Sequence, residues 1–113
     1  MRSARWHVMD GPDHLTLSRC LSPRFDLSAE VDLPPLRRHA LAHEIRKDVW
    51  RALRRLRGFA PVVQVTPDGH GLRVRAGGAV AGAVPASAHV ALCDVLNDPD
   101  CRARWIRHAR LRP

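Results

Sequence analysis

Lysine occurs once in this chain of 113 residues, as Lys47; phenylalanine occurs twice and tyrosine not at all. Ile45 stands two positions before that lysine, which excludes the acidic-x-Lys pair of many nuclease strands. Cysteine is scarce too. Cys20, Cys93 and Cys101 are odd in number and show neither C-x-x-C nor zinc-finger spacing, which argues against a finger-type zinc site. Such cysteines are expected in a reducing, cytoplasmic compartment. The amino terminus lacks the run of roughly 7 to 15 apolar residues that a secretory signal needs, and nothing approaches the ~20 of a membrane span. Secretion and a membrane partner are therefore not expected. G-x-S-x-G is missing, and so is H-E-x-x-H: Glu44 follows His43, but Lys47 stands where the second histidine would be. No repeat or low-complexity tract occurs, no cofactor signature is present, and an enzyme is the less favoured class.

What the chain does have is arginine. Its 19 basic residues outnumber 11 acidic ones, giving a formal net charge of +8. A field of that sign concentrates polyanions, so nucleic acid or an acidic protein becomes the expected partner. Abundant alanine with a single lysine is also what a GC-rich, bacterial-like genome produces when it favours arginine codons, which discounts part of the signal. A hydrophobic fraction of 45% fits a chain that folds, and its length fits one domain over residues 1–113.

The pattern of residues predicts an α+β fold with a small, mostly antiparallel sheet. Residues 1–23 read either as two short strands or as an irregular lead-in. From Phe25 to Leu33 apolar and polar residues alternate strictly, the mark of a half-buried strand whose outward face carries Asp26, Ser28, Glu30 and Asp32. Pro34-Pro35 should open a helix over 35–57 that Gly58 ends. Its core arc holds Leu41, Ala42, Ile45, Val49, Ala52, Leu53 and Leu56, and the remaining circumference is rich in arginine. Strands over 61–66 and 71–76 form a hairpin around Pro67-Asp68-Gly69-His70-Gly71, and Gly77-Gly78 turns into a weaker strand over 79–84. Helices follow over 86–96 and 99–111, the last with Asp98 as its N-cap and Pro99 at its first position.

A helix bearing Arg46, Lys47, Arg51, Arg54 and Arg55 can track a phosphate backbone, with Trp50 on its polar side able to stack on a base. Arg73 and Arg75, outward on the hairpin, extend that patch in this reading. The bland alternative has Trp50 widening the core stripe and the arginines solvated or paired with Asp26, Glu30 and Asp32. His39 and His43, spaced i, i+4, are weak candidates for a metal pair that lacks a third ligand. His89 and Cys93 share the same spacing, without a further group to make them catalytic.

From Leu53 to Leu96 the order helix, Gly-Phe, strand, Gly-His turn, strand, strand, Val-Pro, helix resembles the HicA-type messenger-RNA interferases, small basic toxins with a double-stranded-RNA-binding-like fold. That resemblance implies ribonuclease activity with His70 as the catalytic group. Gly69 is followed directly by His70, so the family's serine has no counterpart, and a long amino-terminal extension departs from the pattern. The double-stranded-RNA-binding domain itself fits less well, since the helix after Pro85 starts without a lysine cluster. The leading expectation is thus a basic accessory protein that binds nucleic acid, DNA or RNA, with low sequence preference. An adaptor that uses the same helix to meet a protein comes second, and a HicA-like ribonuclease third.

Overall fold

A computed structural model of the chain describes residues 6–11, 14–19 and 23–112. Cys20 lies outside the described residues. The element order is β1 (His7–Asp10), β2 (Leu15–Ser18), β3 (Leu27–Leu33), α1 (Arg38–Leu53), β4 (Ala60–Asp68), β5 (Gly71–Ala79), α2 (Ala86–Asn97) and α3 (Pro99–His108). The five strands form one antiparallel sheet in the order β1-β2-β4-β5-β3. The α+β architecture expected from the sequence is present, and the ambiguous amino-terminal segment contributes two strands.

Register places the apolar residues on one face. Leu15 and Leu17 stand opposite Val65 and Val63, Val65 opposite Val74, and Val74 opposite Val31. Because side chains alternate along a strand, these residues point together toward the helices. There Leu41, Ile45 and Val49 of α1, Leu92 and Leu96 of α2 and Trp105 of α3 complete a single buried cluster. The other face of the sheet carries Gln64, Thr66, Arg73, Arg75, Ser28, Glu30 and Asp32, one position out of phase with the core.

Strand ends shift slightly, β3 starting at Leu27 and not Phe25 and β4 spanning Ala60–Asp68, and four boundaries differ more substantially from expectation. No strand forms over 79–84: β5 runs straight through Gly77-Gly78 to Ala79. Those glycines are needed for close packing inside the ladder, since a Cβ on Gly77 would lie 2.1 Å from the Leu27 carbonyl oxygen and one on Gly78 2.1 Å from that of Ala60, at φ near +150°. The hairpin turn is tighter than the five-residue loop expected. Asp68 pairs with Gly71, leaving only Gly69 (φ +61°) and His70 between the strands. Helix α1 is shorter than 35–57. It starts beyond Pro35 because Leu36 turns into the core and the Arg37 N–H donates to the Ala109 carbonyl; it ends at Leu53, followed by turns to Gly58 at φ +68°. Helix α3 stops at His108, where the Arg37 guanidinium takes the carbonyls of His108 and Arg110.

Ala52 is the exception within the expected core arc of α1, being exposed while Leu41, Ala42, Ile45, Val49 and Leu53 are buried. Its neighbours across the helix pair are the short side chains Ser87, Ala88 and Ala91, which leave a groove where larger residues would have closed the contact.

Candidate functional site

One carboxylate organises the helical side. Asp48 is buried at the edge of the core stripe of α1 and accepts from the indole N–H of the fully buried Trp105 at 2.7 Å. A tryptophan at the centre of an apolar helix face needs such an acceptor. The same carboxylate takes a short charge-assisted bond from Arg104 and lies 3.7 Å from Arg51. That bond raises the pKa of Arg104 further and fixes its side chain. One negative charge is thereby shared by two guanidinium groups, which leaves the surroundings cationic.

The arginines of α1 and of the turns that follow it fall into distinct environments. Arg51, Arg54, Arg55 and Arg57 are exposed, and among the described residues only Arg51 has a carboxylate within ion-pair distance. Lys47 is held by Glu44 at 2.8 Å, and Arg38, in the first turn, by Asp10 at 3.1 Å. Arg46 lies at the margin of the core with its guanidinium 4.5 Å from the centroid of Trp6, and its Nε has no partner among the described residues. Arg19 stands between Trp6 and Trp50, at 5.0 and 5.5 Å, and Trp50 lies nearly parallel to Phe59 at 6.1 Å. This run of alternating cations and rings ties β1 and β2 to α1. Trp50 is half-buried within it, so its ring already carries Phe59 and Arg19 as neighbours.

Arg73 and Arg75 are not continuous with α1. They project from the sheet face that points away from the helices, so the core separates them from Arg51, Arg54 and Arg55. Arg73 is surrounded by Asp32 at 3.2 Å, Asp68 at 3.3 Å and Glu30 at 3.8 Å, and its bond to Asp32, first among these, raises its pKa. Arg75 lies over Phe25 at 4.1 Å and donates to the Ser28 hydroxyl. The acidic face of β3 therefore neutralises the hairpin and does not reach α1. Asp26 completes that side by accepting from Arg24 and from the backbone N–H of Val80, bonds that hold its carboxyl below the usual range.

On α3, Arg104 and His108 face Glu44, Lys47, Asp48 and Arg51 across a cavity of about 300 Å³. The sequence offers the carboxy-terminal arginines, Arg104 among them, only as either an extension of the basic surface or a tail, and it does not single out His108. Two signals pointed that way: Trp105 required an acceptor, and Asp48 was the only carboxylate bordering the core stripe of α1.

The remaining candidates are dispersed. His39 and His43 have ring centroids 4.9 Å apart, and among the described residues no group of three potential metal ligands exists. Burial first, then His39, Arg46 and Lys47, lowers the His43 pKa and so favours its neutral form. His70 sits exposed in the hairpin turn, with no hydrogen-bond or ionic partner among the described residues. The Cys93 sulfur is 3.8 Å from Nδ1 of His89. Burial, followed by the bond to Asp98, pushes the Cys101 thiol up to about 11, so it is protonated and a poor nucleophile. No family model, curated protein or solved structure matches the chain.

Proposed function

We propose that this protein binds nucleic acid through its helical side, contacting the phosphate backbone with little sequence preference. The observation that supports this reading is the exposure of Arg51, Arg54, Arg55 and Arg57 at and just beyond the end of α1, with Arg104 next to Arg51 over their shared Asp48 and, among the described residues, no carboxylate within ion-pair distance of Arg54, Arg55 or Arg57. Arg54, Arg55 and Arg57 lose little on meeting phosphate, because among the described residues they have no internal ion pair to break. Arg46, Lys47 and Trp50 flank the surface and serve to hold it in place. Arg73 and Arg75 belong to the other side and play no part. The arginines are proposed to meet phosphates, so affinity should follow backbone charge and fall steeply with salt.

The test is a mobility-shift or anisotropy titration of unrelated duplex and single-stranded oligonucleotides across a salt series. Similar affinities for unrelated sequences, with log K falling linearly in log salt, are expected. Absence of binding at low salt removes the proposal.

A further inference from the structure

A second binding feature lies beside that surface and differs from it in chemistry. Between the end of α1 and the start of α2 runs a groove of about 220 Å³, floored by Leu53, Leu56, Ala88 and Ala91 and edged by Ala52 and Arg55. Ala52 also lines a second hollow of about 270 Å³, bounded by Asp48, Val95, Cys101, Arg51 and Arg104. The α2 wall from Ser87 to Val95 is about 12 Å long at the helical rise, the span of about four extended residues. We infer that this groove docks a short acidic segment of a partner protein that carries aliphatic anchors flanked by carboxylates.

Two properties choose this occupant. The floor is aliphatic and lacks an exposed aromatic on which a nucleobase could stack, so its natural complement is an aliphatic side chain. The rim is cationic. Arg55 has no carboxylate within reach among the described residues, and Arg51 and Arg104 share Asp48. The amino terminus of α2 opens into the same groove without a side-chain cap, adding the positive end of a helix dipole. An apolar floor with a positive rim selects a ligand that is greasy and negative together, which a bare phosphate backbone is not. The groove thus adds protein recognition to a surface that the preceding proposal assigns to nucleic acid.

The probe is a fluorescein-labelled peptide, Glu-Glu-Leu-Glu-Leu-Glu-Glu, compared with the same peptide bearing serine for leucine, both titrated against the full chain. The leucine peptide should bind at least about tenfold more tightly than the serine control. It should move the ¹⁵N-amide signals of Ala52, Leu56, Ser87 and Ala91. Ala52→Trp fills the groove from an exposed position and should weaken peptide binding about tenfold while leaving the salt slope for oligonucleotides unchanged. Arg55→Glu, which reverses the rim charge without touching the core, should weaken the peptide at least as much. Equal binding of the two peptides, no binding of either, or full peptide affinity in either variant overturns the inference. An oligonucleotide that moves the same four amides also overturns it, since the groove would then belong to the nucleic-acid surface.

Discussion

Arginine decorates both sides of this protein, yet the two sides differ in what surrounds it. On the outer face of the sheet, β3 and the hairpin bring Glu30, Asp32 and Asp68 around Arg73. On the helical side, Asp48 lies beneath Arg51 and Arg104, and Arg54, Arg55 and Arg57 have no carboxylate within reach among the described residues. A formal charge of +8 describes neither side. What makes a cation available to a ligand is the alternation of β3, which aims its acids away from the helices.

The comparison breaks most visibly at Asp48. Asp48→Ala should cost about 3 kcal/mol in chemical denaturation, because the Trp105 indole N–H is left buried without an acceptor and Arg104 loses its anchor. Asp48→Asn keeps an acceptor and should cost less, and by releasing Arg51 and Arg104 it should tighten oligonucleotide binding. Wild-type stability in Asp48→Ala would remove Asp48 from the centre of the helical side.

A smaller loss is expected at Trp6, where β1 is tied to α1. Trp6→Ala should cost about 1–2 kcal/mol through the contacts with Arg46 and Arg19. If Arg46 then swings out to solvent, oligonucleotide affinity rises slightly, which would show that the ring restrains a usable cation.

Cys101 reports on the packing around Asp48. With its thiol pushed up to about 11 from an ordinary value of 9.0, its thiolate at pH 8 should be about 100-fold scarcer than that of an unfolded control. Alkylation followed by mass spectrometry should show that slowing, and Asp48→Ala should relieve it in part. Between pH 9 and 11 the unfolded chain gives up this proton and the folded chain keeps it, so stability falls as pH rises through that window.

The mildest effect concerns acid. Asp26 and Asp98 have carboxyls held below the ordinary range, Asp26 by Arg24 and the Val80 N–H, Asp98 by the Cys101 N–H at the start of α3. Their contribution is complete above the unfolded carboxylate pKa and disappears as pH falls through the lower native values. Asp26→Asn and Asp98→Asn should each flatten the acid limb of a stability profile measured by circular dichroism.

Much of the fold was legible because periodicity reports burial. The alternation from Phe25 to Leu33 and the apolar stripe of α1 placed β3 and the long helix, and Asp98-Pro99 placed the start of α3. Gly77-Gly78 misled because glycine serves both a turn and a close backbone approach, and only the Leu27 and Ala60 carbonyl oxygens, which would lie 2.1 Å from a Cβ at these positions, distinguish the two. Ala52 misled because a helical wheel knows its own helix and not the short side chains of α2 opposite. The candidate surface was legible in part. Arg46, Lys47 and Arg51 sit on α1 as the sequence predicts, Arg54, Arg55 and Arg57 lie just beyond its end, and the remoteness of Arg73 and Arg75 and the approach of Arg104 and His108 depend on sheet order and helix packing, which no local pattern encodes.

Charge-neutral substitutions on the two sides, compared in one salt titration, test the central claim. Arg51→Gln, Arg54→Gln and Arg55→Gln together should lower the slope of log K against log salt by roughly 3, at about 0.9 per phosphate contact on duplex DNA. Arg73→Gln with Arg75→Gln should leave that slope where the unaltered chain has it. Equal losses from the two sets, or a larger loss from the sheet pair, would contradict the assignment of phosphate contact to the helical side.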